Sequence, residues 1–114
     1  MSLFSSAALF IAASFSSLSP AQQTEIDCLA VLTVASTESN SQAKFGISNM
    51  SERVGRLSQA VGARYVSEYG ISVDDFTAIF TDRLAGVMMR NSGGSARVAN
   101  IRPQVEACKT MLPE

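Results

Sequence analysis

Cys28 and Cys108 are the two cysteines of the 114-residue chain, which contains neither histidine nor tryptophan. Two thiols far apart in sequence, with no Cys-x-x-Cys spacing, point to a structural disulfide rather than a redox-active pair, with two buried free thiols as the alternative. The lack of histidine removes every Ser-His or Cys-His nucleophile and every imidazole metal ligand. Among the carboxylates, Asp74 and Asp75 are adjacent and so point in different directions on a helix. Asp82 and Glu106 would make a glycosidase-like pair only if folding brought them together, and nothing in their spacing requires that.

Other motifs carry little. Asn49-Met50-Ser51 fits a glycosylation acceptor, a triplet common by chance. Gly93-Gly94 lacks the lysine and the preceding strand of a phosphate loop. No catalytic residue, metal ligand or cofactor site is expected, and the chain reads as a non-enzyme. Arg53, Arg56, Arg64, Arg83, Arg90, Arg97 and Arg102 could read phosphate, yet the net charge is −1, which argues against nucleic acid.

A disulfide needs an oxidising compartment, and the N-terminus suggests how the chain reaches one. The first twenty-one residues carry no charge, and Leu3, Phe4, Ala7, Ala8, Leu9, Phe10, Ile11, Ala12, Ala13 and Phe15 form an apolar run too short and serine-rich for a membrane span. Ser19-Pro20-Ala21 then presents small residues at the two positions a signal peptidase reads, so residues 1–21 are expected to be a signal peptide cleaved after Ala21. The missing positive n-region leaves an uncleaved anchor as the alternative. A lipoprotein fits less well, because Asp27 stands directly ahead of Cys28. Residues 22–114 form a single helical domain, with no stable membrane insertion after cleavage.

The elements that place the cysteines follow from periodicity. Thr24 with Asp27 resembles a capping box, and Ile26, Leu29, Ala30, Val31, Leu32 and Ala35 cover most of a helical circumference, which predicts an enclosed helix over 24–38. The polar joint Ser36 to Lys44 interrupts the pattern. Ile47, Met50, Val54, Leu57, Val61 and Tyr65 then step by threes and fours along a helix over 47–69. Beside that stripe run Ser51, Gly55, Ser58 and Gly62. This row predicts a close internal helix contact, the alternative being a groove that takes a partner's helix. Gly70 stops the helix, and Ser72 with Asp75 at N3, the Ile71 and Phe76 staple, and two acids in the first turn start another over 72–90. Its apolar face comprises Val73, Phe76, Ile79, Phe80, Leu84, Val87 and Met88, and Asn91-Ser92-Gly93-Gly94 ends it. Val98, Ile101, Val105, Cys108 and Leu112 give a last helix over 96–112, in which Pro103 predicts a kink or a fresh start.

The fold expected is therefore all-α, a small four-helix bundle with one disulfide, Cys28 to Cys108, joining the first and last helices. Both cysteines lie on inward stripes. Residues 22–43 carry −3, 44–64 carry +3, 65–82 carry −4 and 83–109 carry +4, so neighbouring helices alternate in sign and help to set register. Short, exported, helical and disulfide-bearing, the plan resembles the small periplasmic acid-stress chaperones and the helical immunity proteins of secreted toxins, with no shared motif. The reading is a small exported protein, periplasmic or extracellular, that binds another envelope or secreted protein; the alternative is a stress holdase that loosens in acid.

Overall fold

Phe15 opens the part of the chain that the computed structural model describes, residues 15–91 and 96–114. The apolar run before Phe15 and the Gly93-Gly94 stop lie outside the described residues. A single 3₁₀ turn, Phe15–Ser17, leads into five helices: α1 (Pro20–Ser36), α2 (Ser41–Phe45), α3 (Met50–Tyr69), α4 (Val73–Arg90) and α5 (Arg97–Cys108), with a last 3₁₀ turn at Lys109–Met111. Four of the five helices are long, and no strand occurs among the described residues, which is the all-α bundle expected.

Helix α1 begins four residues before Thr24. Ser19 is its N-cap: the Ser19 hydroxyl accepts from the Gln22 amide at 3.2 Å, Gln22 Oε1 accepts from the Ser19 amide at 2.8 Å, and Pro20 occupies the first turn. Both orphan amides are satisfied reciprocally, and proline there loses no bond it would have made. Thr24, expected as the cap, instead donates its hydroxyl to the Pro20 carbonyl at 3.0 Å. Ile26, Leu29, Ala30, Val31, Leu32, Val34 and Ala35 are all buried, and α1 packs against every other helix. It is the enclosed helix the pattern predicted.

The joint after α1 holds a short helix that periodicity does not reveal. Asn40 and Asn49 adopt the left-handed region at φ 56° and 52°, where asparagine is one of the few tolerated side chains, and they frame α2 and the turn after it. Phe45 is buried from α2, and Gly46 at φ 66° reverses the chain.

In α3 the stripe Met50, Val54, Leu57, Val61 and Tyr65 is buried as predicted, with Ile47 just ahead of it. Gly70 caps the helix at φ 66°, and the Ser72 hydroxyl accepts from the Asp75 amide at 3.0 Å. On α4, Phe76, Ile79 and Val87 are buried and Phe80 and Leu84 partly so, whereas Val73 and Met88 are exposed rather than inward. Asn91 ends α4 only 1% exposed, donating to the Val87 carbonyl and accepting from Gln104. Pro103 neither starts α5 nor breaks it: the helix continues through it. The carbonyl deprived of a donor belongs to Ala99, an exposed residue, so water can satisfy it.

The disulfide Cys28–Cys108 joins α1 to α5 across a Cα separation of 5.3 Å and closes a loop of 80 residues. On the chain-entropy account such a closure is worth about 4.5 kcal/mol. Ion pairs also radiate from α1 and the turn that follows it. Glu25 pairs with Arg64 of α3, Asp27 lies 3.5 Å from Arg83 and 3.7 Å from Arg90 of α4, and Glu38 lies 3.7 Å from Arg97 of α5. Each pair is partly exposed and contributes at most about 1 kcal/mol, so together they fix how the helices are set around α1 more than how strongly.

Candidate functional site

The row Ser51, Gly55, Ser58 and Gly62 falls into two settings. At Gly62 an added Cβ would sit 3.5 Å from the Phe76 ring, so the close α3–α4 approach expected of the row exists there. At Gly55 an added Cβ would meet nothing within 4 Å, and both Gly55 and Ser51 are exposed. The row is therefore not one continuous internal contact. Its C-terminal end is where the row meets a side chain of α4, while Ser58 is half-buried and the exposed Ser51 hydroxyl donates to the Ser36 carbonyl at 3.4 Å.

Gly62 also opens onto a trough between the two helices. Gly62, Ala63 and Val66 of α3 and Val73 and Phe76 of α4 line a space of about 430 Å³. Every lining side chain is apolar. Val73 at 65% exposure and Tyr69 at 46% stand at this end of the helix pair, which leaves an apolar surface with no cover among the described residues.

Beneath the trough the packing is aromatic. Tyr65, fully buried, meets Tyr69 edge-on with ring centroids 4.9 Å apart and Phe76 at 5.4 Å, and Phe76 stacks on Phe80 at 6.3 Å. The Tyr65 hydroxyl donates to the Gln22 carbonyl of α1 at 3.2 Å. Burial, and after it the Glu25 carboxylate, push the phenol well above its ordinary range. Glu25 also holds the Arg64 guanidinium more firmly protonated through their hydrogen bond. The floor of the trough is thus tied to α1.

Glu68, Asp74 and Asp75 flank the trough in the chain, and Asp82 follows one helical stretch later. None of the four makes an ion pair among the described residues, in contrast to the acids of α1. The Asp75 amide is used by the Ser72 cap, while its carboxylate remains at the helix's positive end. Glu106 pairs with Lys109 at 2.6 Å, not with Asp82. No group of three or more carboxylates or cysteines among the described residues could hold a metal ion.

No protein-family model, curated protein or solved structure matches the chain. The trough is the part of this surface that a sequence reading could see only at Gly62. Val66 was hidden because it lies one place off the buried α3 stripe, and Val73 because it opens an α4 stripe expected to face inward. Among the described residues no helix is long and apolar enough to cross a membrane. The disulfide suits an oxidising, non-cytoplasmic compartment.

Proposed function

We propose that the protein is exported and acts by binding another envelope or secreted protein, with the α3–α4 trough receiving an apolar helix of that partner. The observation that carries this is the uncovered apolar lining over an aromatic floor, with Val73 65% exposed. Helix-in-groove recognition uses such a surface, with apolar anchors seated between two helices. The flanking carboxylates Glu68, Asp74 and Asp75 define the rest of the partner: basic residues bordering its apolar face, which speed encounter and fix orientation more than they add affinity.

A holdase is the second reading, and the ion pairs of α1 favour it. All of the long-range pairs among the described residues run through Glu25, Asp27 and Glu38, so loss of those three charges together would loosen how α3 and α4 are set around the central helix, with α5 still held by the disulfide.

Capture from the native envelope separates the two readings when wild type and Val73→Asp are compared. The binder reading expects one dominant protein on wild type, carrying a basic amphipathic helix, and its loss from Val73→Asp, with the helical signal and melting of the variant unchanged. A broad set of clients held equally by both proteins, increasing as the pH falls, supports the holdase instead.

A further inference from the structure

Cleavage after Ala21 would remove residues that the fold uses. Phe15 packs against the core with its ring centroid 4.3 Å from the Arg83 guanidinium carbon, and Leu18 is itself a core residue. The Leu18 carbonyl accepts from Gln23 Nε2 at 2.9 Å, the Ser19 carbonyl from the Gln23 amide at 2.9 Å, and Ser19 with Gln22 forms the capping box. All of this would leave with the leader. A new ammonium would then sit on Gln22, at the positive end of the α1 dipole and on the residue whose carbonyl takes the Tyr65 hydroxyl.

Small residues also occur at the required spacing further upstream. Ala12 and Ser14 stand three and one residues before Phe15, directly after the apolar run Leu3 to Ile11. That stretch is nine residues long with seven of them apolar, interrupted by Ser5 and Ser6, which reaches the lower end of the usual range of about 7–15 for a signal h-region. Resting on the export reading above, we propose that the processing site is the Ser14–Phe15 bond, with Ala12 and Ser14 read by the peptidase in place of Ser19 and Ala21. Hydrolysis consumes one water, breaks the amide between them, and leaves the Ser14 carboxylate on the released leader and an ammonium on Phe15. The mature chain then keeps the Phe15 contact, the buried Leu18 and the α1 cap.

The full chain, Met1 to Glu114, expressed in a bacterial host and recovered from its periplasm, should give an intact mass that begins at Phe15. Ser14→Leu should abolish that product, and Ala21→Leu should leave it unchanged. A product beginning at Gln22 would overturn the site while export stands. Envelope material retaining Met1 would overturn the site alone, whereas a chain that stays in the cytoplasm with Met1 would overturn the export reading and the site with it. The structural ground is checked separately with disulfide-bonded proteins produced to start at Phe15 and at Gln22: the shorter should melt lower by about 10 °C, from the lost cap and the lost Leu18 burial. Equal melting of the two would remove the reason for preferring Ser14.

Discussion

Val31 and Val73 are the same residue in opposite settings, 3% and 65% exposed. Val31 belongs to α1, where the other helices enclose the apolar side chains and each carboxylate meets an arginine. Val73 belongs to the α3–α4 end, where an apolar trough lies open and the nearby carboxylates make no ion pair among the described residues. Both regions combine aliphatic residues with acids. The first satisfies itself within the fold, and the second presents the same two kinds of group outward. Such a surface costs a domain stability and solubility unless something else covers it, which is why it is the better guide to function.

The disulfide offers the largest way to sharpen that contrast, because it secures α1 and does not touch the α3–α4 end. Reduction, or Cys108→Ser, should lower the unfolding free energy by about 4–5 kcal/mol, nearly the whole stability of a small domain. Urea titration with and without reductant measures it. A shift well under about 2 kcal/mol would mean that the packing around α1 is self-sufficient.

Glycine substitutions break the comparison within a single helix. Gly62→Leu should drive its side chain into the Phe76 ring and destabilise by about 1–3 kcal/mol, whereas Gly55→Leu, with open space around it, should change stability by less than about 0.5 kcal/mol. Equal losses at both positions would restore the continuous internal contact that the row first suggested.

Alkaline pH tests the tie between the trough floor and α1. The Tyr65 phenol is held protonated in the folded state, so its contribution is complete below the ordinary tyrosine value of 10.0 and is lost as the pH rises above it. Melting temperature should therefore fall on going from pH 8 to pH 11. Tyr65→Phe should flatten that part of the profile, and an unchanged slope in the variant would assign the loss to other groups.

Much of this arrangement was legible in the chain. The α3 stripe, the Ser72 cap, the enclosed character of α1 and the meeting of Cys28 with Cys108 each follow from local chemistry or from a period that tertiary packing then respects. The start of α1 was not, because Ser19-Pro20-Ala21 satisfies two codes at once, the small residues of a peptidase site and the serine and proline of a helix start. Helix α2 was hidden by its length, since five residues with Phe45 as their one large apolar member show no period. Pro103 misled because its cost depends on whether the Ala99 carbonyl reaches water, which the linear pattern does not contain. The trough depends on how α4 leaves α3 after Gly70. Sequence placed Gly62 on its wall but had no means of setting Val66 opposite Val73.

The most direct measurement makes one substitution in both regions: Val31→Asp and Val73→Asp, each followed by urea unfolding at neutral pH. Burying a carboxylate among the other helices at position 31 should cost several kcal/mol, about 3 or more, most of the stability of a small domain. At position 73 the same carboxylate stays in water, and the midpoint should move by no more than about 0.5 kcal/mol equivalent. Comparable destabilisation by the two substitutions would contradict the account, because the α3–α4 surface would then be part of the core rather than a face left for a partner.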